Sequence, residues 1–277
     1  LCACCRTNDE GSKDKAAKDE ELPRVGGVPT RNPLAMHRIV VSPPRQRDHQ
    51  RMGGDQRQDD NRCQACNTQT GTAAMPLAKR IIPSLLHHGT VLIKGQRFDG
   101  WRSVGHVQQA ARIHAARGVD ELLILDIGAS KECRGPNIDL IRQLTDNNFI
   151  PVTVGGGITC VEEVKAVLNA GADKVAIGTG LRDLDEMKLI SERYGKQALV
   201  ALVDVNARGR PVDWPDFEAA VWDFTMKQPA TKMGVVEFAV QCATFAGEIV
   251  LTAVDREGPM MGHDLDLIRL VTEAVDI

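Results

Sequence analysis

The sequence predicts an α/β protein with an incomplete (β/α)8 barrel, and three observations support that class. From residue 79 onward, short β-branched or aliphatic runs alternate with amphipathic helical patterns, which is the order that a parallel sheet requires. Six such units follow one another without the glycine fingerprint of a Rossmann domain, which favours a barrel over an open sheet. Two helix-to-strand turns, at 118–121 and 171–174, also have closely similar sequences, as a fold built from repeated units would.

The predicted elements alternate without interruption. The strands fall at 80–86, 121–127, 150–154, 174–177, 198–203 and 248–254. The helices fall at 104–117, 137–146, 161–170, 184–194, 235–245 and 264–274. Because the complete fold has eight such units, we expect about six of them here, a barrel truncated before strand 7, and two unpaired strand edges.

The first 74 residues differ in composition from the remainder. All ten aromatic residues lie after residue 75, and the stretches 13–21 and 45–62 are rich in charge. A segment without large side chains cannot offset the entropy lost on ordering. We therefore expect residues 1–74 to be a disordered leader, or sequence upstream of a start at Met75, and residues 75–277 to form the barrel.

Five of the eight cysteines lie in this leader. Two Cys-x-x-Cys pairs, Cys2 with Cys5 and Cys63 with Cys66, have the local spacing of zinc ligands. The stretch between the pairs is far longer than the roughly 15–20 residues of a zinc ribbon. We therefore expect no metal site, and the sequence indicates no cofactor.

The overall charge excludes two classes of protein. The chain has 34 basic and 37 acidic residues, a net charge of −3, and 43% hydrophobic residues. These values argue against a strongly basic nucleic-acid binder and against a disordered chain. No apolar run approaches the roughly 20 residues of a membrane span, and no signal peptide opens the chain. A soluble cytoplasmic protein without nucleic-acid or membrane partners is the expectation.

Candidate reactive groups follow the predicted strands, because a barrel carries its active site at the carboxyl ends of its strands. The residues at these ends are Leu86, Asp126, the glycines at 155–157, residues 178–180, Asp204 and residues 255–258. Glycine loops before helix N-termini suit a phosphate group, although the glycines at 155–157 could merely form a tight turn. For Asp126 and Asp255, helix capping is the alternative role.

Asp204 and Lys94 are the candidate catalytic residues. Asp204 follows the apolar run 199–203, so a strand would deliver its carboxyl group to a partly desolvated rim and allow proton exchange near neutral pH. Lys94 is expected on the loop after the first strand, where it could cover an anionic substrate or be an ordinary solvated lysine.

Four charged residues of alternating sign begin predicted strands 1, 2, 4 and 6. They are Arg80, Glu121, Lys174 and Glu248. Together they could form a ring of ion pairs that plugs the opposite end of the barrel. The alternative is four exposed charges, each of which contributes little to stability.

Several motifs resemble the HisF family, the cyclase subunit of imidazole glycerol phosphate synthase. The motifs are LAKRIIP at 77–83, DELLILDI at 120–127, TVGGGI at 153–158, ADKV at 172–175, ALVD at 201–204 and GEIVLTAVDREG at 247–258. The resemblance covers about residues 77–277 and implies a (β/α)8 barrel. It also implies a glutaminase partner at the bottom of the barrel that supplies ammonia, and a phosphorylated or nucleotide-linked substrate at the top.

The resemblance also implies roles for particular residues. Arg80, Glu121, Lys174 and Glu248 match the gate through which ammonia enters. Asp204 matches one of two acid–base aspartates, and Lys94 matches the lysine of the substrate loop. The residues assigned to substrate or phosphate binding are Gly156, Gly157, Thr179, Asp126, Asp255 and Gly258.

The chain departs from the family pattern at several positions. Leu86 stands where the family has its other catalytic aspartate, and leucine cannot transfer a proton. Gly178 replaces an asparagine, and the insert at 210–234 diverges. The Pro-Ser-Leu-Leu first strand resembles HisF paralogues encoded with surface-polysaccharide genes, which route ammonia into an acetamidino group on a nucleotide sugar. This paralogue is our preferred interpretation. The alternatives are the cyclase of histidine biosynthesis and a non-catalytic barrel that only docks a glutaminase.

Overall fold

A computed structural model describes residues 39–41, 79–146, 148–178, 181, 183–206, 220–223 and 228–277, and only the backbone of 39–41, 220–223 and 228–232. The strands are β1 (Ile39–Val41), β2 (Ser84–His88), β3 (Val91–Gln96), β4 (Asp99–His106), β5 (Leu122–Asp126), β6 (Val152–Gly155), β7 (Lys174–Ile177), β8 (Leu199–Asn206), β9 (Ala220–Asp223), β10 (Gln228–Gly234) and β11 (Glu248–Ala253). The helices are α1 (Val107–Ala116), α2 (Ile138–Thr145), α3 (Val161–Asn169), α4 (Leu184–Tyr194), α5 (Val235–Ala243) and α6 (Leu265–Ala274).

The six predicted barrel strands form one parallel sheet. Their order is β11-β8-β7-β6-β5-β2, and every neighbouring pair in this series is parallel. Helices α1 to α6 correspond to the six predicted helices in the same order. The predicted alternation of strands and helices is therefore confirmed, with shifts at the ends of individual elements.

The sheet curls until its first and last parallel strands meet at one end. Arg80, just before β2, donates a hydrogen bond of 2.8 Å to Glu248 at the start of β11. These strands lie five strand spacings apart in the sheet, roughly 24 Å if the sheet were flat. At the opposite end, the backbone N–H of Arg97 donates to the carbonyl of Glu257 at 3.0 Å. The incomplete (β/α)8 barrel is thereby confirmed.

Alternate residues of most barrel strands enter two separate apolar clusters. On β5, Leu122 and Ile124 pack against the helices, whereas Leu123 and Leu125 point into the barrel. The inward-pointing set, which we call the interior cluster, comprises Leu86, Leu123, Leu125, Ala176, Val200 and Val250. Burial on both faces explains why these strands are continuous apolar runs.

Three helices begin at side-chain caps that fix where each strand connection ends. Asn137, Asp183 and Asp264 each accept a hydrogen bond from the backbone N–H three residues later, at 3.1, 3.0 and 3.1 Å. Such caps satisfy N–H groups that have no partner within the helix.

Two β-hairpins extend the sheet beyond the prediction. The β3–β4 hairpin follows the first barrel strand, so Lys94 lies in a strand and not on a loop, and α1 begins at Val107 and not at residue 104. The hairpin turns at Arg97 and Phe98, with φ of 55° and 60°, a geometry that usually selects Asn-Gly. The usual sequence signal is absent here, which explains the error. The second hairpin, β9–β10, lies in the divergent insert.

The expectation of two unpaired edges is wrong for β11 and partly wrong for β2, where the described residues supply an outer partner only for His87 and His88. β3 pairs with the end of β2 through His87 and His88. At the other edge, the backbone of β1 pairs antiparallel with β11, with Ile39 opposite Leu251 and Val41 opposite Ile249. These short neighbours satisfy edge groups that a further strand would otherwise pair.

The remainder of residues 1–74, including the four Cys-x-x-Cys cysteines, lies outside the described residues, and the domain boundary near residue 75 stays a prediction. Within the described ranges, no helix has the length and apolar character needed to cross a membrane.

Replacing Ile124 by alanine should lower the free energy of unfolding by about 2–5 kcal/mol, because the vacated space lies between sheet and helices. Ile124 is completely buried, whereas Ile113 on α1 is 40% exposed. Urea denaturation of Ile124→Ala and of the control Ile113→Ala measures the difference. The control should lose about 1 kcal/mol or less, and equal losses would contradict the packing described above.

Candidate active site

Lys174 and Glu121 form the centre of a charge network at the bottom of the barrel, the end where the strands begin. The Nζ atom of Lys174 donates to both carboxylate oxygens of Glu121, at 3.0 and 2.9 Å. The hydroxyl group of Thr153 donates to Glu121 Oε1 at 2.6 Å. Glu121 is only 1% exposed, so these donors replace the water that its carboxylate loses on burial.

Arg80 and Glu248 close the network into a ring. Arg80 donates to Glu121 at 3.0 Å and to Glu248 at 2.8 Å, and Lys174 donates to the same Glu248 oxygen at 3.0 Å. Each cation thus contacts both carboxylates. We call Arg80, Glu121, Lys174 and Glu248 the charge ring.

The strand pleat explains why the charge ring covers the barrel interior. Glu121, Lys174 and Glu248 each precede an interior-cluster residue by two positions. Side chains two positions apart in a strand point to the same face. The ring and the cluster are therefore successive layers of one core.

At the opposite end, which we call the mouth, Leu86 does not occupy the end of its strand as expected. It lies in the middle of β2, is buried in the interior cluster, and the strand continues to His88. The apolar interior therefore extends as far as Leu86.

Asp204 lies near the end of β8, beside Thr252 of β11. Leu202, two residues earlier, packs against the interior cluster, so the pleat directs Asp204 to the same face above it. The Thr252 hydroxyl is buried and has no hydrogen-bond partner within the described part of the chain. Thr252 is a polar group on the inner wall that the sequence analysis did not identify.

Asp126 ends β5, and its carboxylate is held by its own loop. Arg134 donates to both Asp126 oxygens at 2.8 and 3.0 Å, and the N–H of Gly128 donates at 3.1 Å. The hydrogen bonds to Asp126 raise the pKa of Arg134 above its ordinary value, because they favour the charged guanidinium. Asp126 shapes the loop after β5, and neither oxygen caps a helix.

The glycines after β6 are required by close packing against that loop. Gly156 and Gly157 have φ of 115° and 69°, and a Cβ atom would lie 2.3 Å from the carbonyl oxygen of Asp126 and 2.4 Å from that of Arg134, respectively. Two N–H groups of the following turn already have carboxylate partners. Thr159 donates to Glu163 at 2.7 Å and Val161 to Glu186 at 2.8 Å. The tight-turn role is therefore directly supported, and Thr179 lies outside the described residues.

The hairpin that carries Lys94 reaches across the mouth to the loop after β11. Arg97 Nε donates to the carbonyl oxygen of Asp255 at 3.3 Å, and Gly258 lies so close that a Cβ atom would be 2.8 Å from the carbonyl of Gly95. Asp255 and Gly258 thus hold the hairpin in place, with half-buried Lys94 beside the mouth. In the portion of the chain that the structure describes, no group of three or more metal-ligating side chains occurs.

Two comparisons with known proteins concern the whole barrel. A protein-family model described as "Histidine biosynthesis protein" matches residues 80–277. The imidazole glycerol phosphate synthase subunit HisF of Dictyoglomus thermophilum is 37% identical over 196 residues, which cover 69% of this chain and 74% of that protein. The range matched by the family model includes all six parallel strands.

Replacing Lys174 by methionine should destabilise the fold by about 3–5 kcal/mol, because two buried carboxylates then share one cation. The control is Lys188→Met, since Lys188 is exposed and pairs with Asp185 at 3.8 Å; its loss should stay within about 0.5 kcal/mol. Adding Glu121→Gln to Lys174→Met should restore part of the stability, because one uncompensated charge disappears. Equal urea midpoints for the two lysine variants would contradict a stabilising charge ring.

Stability should also fall in mild acid because of His87. Burial lowers the pKa of His87. This effect outweighs the attraction of the imidazolium to Asp126, which raises the pKa. Below the ordinary histidine pKa of about 6.5, the unfolded chain therefore binds more protons than the folded chain. Stability is therefore retained above that pH and lost as the pH falls through the lower pKa of the folded state.

The variant His87→Gln, which keeps a donor for the Gly89 carbonyl, should lose less stability than wild type between about pH 7 and pH 5. Urea denaturation at both values measures this, and the same comparison at pH 8 isolates the effect of the substitution itself. A variant as acid-sensitive as wild type would exclude His87 as the cause.

Proposed function

Because the chain belongs to the histidine biosynthesis protein family, and within it to the HisF proteins, we propose that it is an ammonia-using synthase subunit. The observation that carries this proposal is the alignment of three layers along one axis. The charge ring lies at the bottom, the interior cluster in the middle, and Asp204 at the mouth. Such an arrangement suits a small neutral molecule that enters at one end and reacts at the other.

The middle layer supports ammonia as that molecule. The interior cluster consists entirely of leucine, valine and alanine side chains. An apolar surrounding disfavours the charged ammonium ion, so nitrogen would travel as nucleophilic ammonia. The charge ring would act as the gate, since opening one of its ion pairs would admit a neutral molecule while hydrated ions stay outside.

The bottom face supports a protein partner as the source of ammonia. Ile81, next to Arg80 of the charge ring, is 68% exposed, and Phe149, just before β6, is fully exposed. Large apolar side chains exposed beside the strand starts are typical of interaction surfaces. The proposed partner is a glutaminase subunit, which releases ammonia by hydrolysing glutamine.

The burial of Leu86 favours the surface-polysaccharide paralogue over the histidine-pathway cyclase. Leu86 is surrounded by Leu123, Leu125 and their neighbours in the interior cluster and offers no proton-transfer group. The proposed product is an acetamidino group on a nucleotide sugar. In this proposal Asp204 exchanges protons with the substrate, and Lys94 beside the mouth binds its anionic part.

Ammonia-dependent turnover of the cyclase substrate, a phosphorylated ribulosyl aminoimidazole carboxamide ribotide, tests the choice of substrate. With ammonium chloride as nitrogen source, we expect slow conversion by wild type. Leu86→Asp should be faster by about 100-fold or more, the usual contribution of a general acid–base group. Leu86→Asn is the matched control, because it has the same size as the aspartate variant but cannot transfer a proton, and it should give no gain.

Two outcomes of this experiment, together with a glutaminase-binding assay of Asp204→Asn, decide between the candidate functions. Wild-type turnover as fast as that of a HisF cyclase would establish the histidine-pathway reaction instead. Equal rates for Leu86→Asp and Leu86→Asn would contradict the role assigned to this position. Glutaminase binding that survives Asp204→Asn, without product from wild type under any condition, would favour the non-catalytic docking barrel.

A further inference from the structure

His88 occupies the inner side of the mouth, directly above the apolar interior. It is the last residue of β2 and follows Leu86 by two positions, so both side chains belong to the same face of the strand. Leu86 is buried in the interior cluster, whereas the side chain of His88 is 52% exposed. The imidazole therefore stands where the apolar interior meets the open mouth.

A chain of charged groups holds the imidazole in place. His88 Nε2 is hydrogen-bonded to Glu132 Oε1 at 2.5 Å, and the other Glu132 oxygen accepts from Arg134 Nε at 2.5 Å. Arg134 is anchored in turn by its two hydrogen bonds to Asp126. Gly128 lies against the imidazole, since a Cβ atom there would be 2.4 Å from His88 Cδ2.

The hydrogen bonds determine which ring nitrogen is available. The Arg134 hydrogen bond, followed by that of His88, lowers the pKa of Glu132, so its carboxylate is ionised near neutral pH and only accepts hydrogen bonds. In the neutral imidazole, His88 Nε2 then carries the proton of that contact and the lone pair is on Nδ1. Within the described residues, Nδ1 of His88 has no hydrogen-bond partner.

The position of His88 relative to Asp204 suits proton transfer. In the strand order β2-β5-β6-β7-β8, β2 and β8 are four steps apart, which is half of an eight-strand circumference. Both strands direct a titratable side chain to the inner face near the mouth. A bound substrate would therefore have an imidazole on one side and a carboxyl group on the other.

We propose that His88, oriented by Glu132, transfers protons to and from the substrate at the mouth, opposite Asp204. This inference rests on the proposed ammonia-using function. When ammonia adds to a carbonyl carbon, a C–N bond forms and the nitrogen holds excess protons. His88 Nδ1 takes one proton and returns it to the former carbonyl oxygen, which gives a hydroxyl group beside an amino group. It then takes a second proton from the nitrogen and gives it to the hydroxyl oxygen as the C–O bond breaks and water leaves. A C=O group and ammonia thus become a C=N group and water, with no net change in protons.

An exposed histidine–glutamate pair contributes little to stability, so a structural role alone would not explain four linked residues at this position. A carboxylate that fixes one imidazole nitrogen while the other faces the substrate is the arrangement of histidine bases in hydrolases. The groups that face His88 are Glu132 and, through it, Arg134 and Asp126, together with His87 on the same strand.

Ring-nitrogen NMR and kinetics of the full chain test the proposal. The variants are His88→Gln and Glu132→Gln, and the matched control is His106→Gln, an exposed histidine at the end of β4. In 15N spectra of wild type at about pH 8, His88 should be protonated at Nε2, and Glu132→Gln should give a mixture of the two neutral forms.

Kinetics provide the second measurement. The wild-type rate with the cyclase substrate and ammonium chloride should fall about 100-fold in His88→Gln, with little change in KM. The pH dependence of the rate should also change in His88→Gln, because a proton-transfer group is removed. Glu132→Gln should lie between His88→Gln and wild type, and His106→Gln should match wild type in rate and pH profile.

The outcomes separate this inference from the proposed function. A rate and pH profile in His88→Gln equal to those of wild type would overturn the inference. A ring-nitrogen spectrum of Glu132→Gln identical to that of wild type would also overturn the inference. If wild type converts none of the cyclase substrate, the slow conversion expected under the proposed function is contradicted, and the spectra alone decide whether Glu132 orients His88.

Discussion

The buried charge ring at the bottom of the barrel is the constraint on which the remaining architecture depends. Each of its carboxylates is desolvated and is compensated only while both cations remain in contact. The contact between Arg80 and Glu248 also joins the two ends of the parallel sheet. One set of ion pairs therefore bridges the two ends of the curved sheet and closes one end of its interior, although only six parallel barrel strands lie in the described part of the chain.

The charge ring closes the bottom of the barrel, so the polar side chains that could contact a substrate lie at the mouth. Above the charge ring the inner wall is apolar up to Leu86 on β2, whereas on β8 and β11 it becomes polar at Asp204 and Thr252. A substrate at the mouth would therefore meet a carboxyl group on one side and an imidazole on the other.

Much of the fold could be predicted from local patterns, and the remainder depended on contacts between distant residues. Strand and helix periods identified the six barrel units, and charges at the strand starts indicated the ring. The β3–β4 hairpin escaped detection because Arg97 and Phe98 adopt positive φ without glycine. The His88–Glu132 contact joins residues 44 positions apart, and no spacing in the sequence predicts it. The sequence patterns placed Asp204 at the end of the correct strand and Lys94 shortly after the first barrel strand. They did not predict which side chains surround either residue.

Leucine at position 86, where the HisF resemblance implies a carboxyl group, has a structural consequence beyond the proposed loss of one proton-transfer group. Because side chains on one face of a strand recur every two residues, the next polar position on this wall is His88, about 6.6 Å further along β2. The apolar interior is extended by that distance, and the polar group on this side moves outward. In the proposed reaction, a substrate that exchanges protons with His88 would accordingly bind farther out in the mouth than one that contacts a carboxyl group at position 86. Glu132 and Arg134, on the loop after β5, form the hydrogen bonds that hold the His88 imidazole in this position.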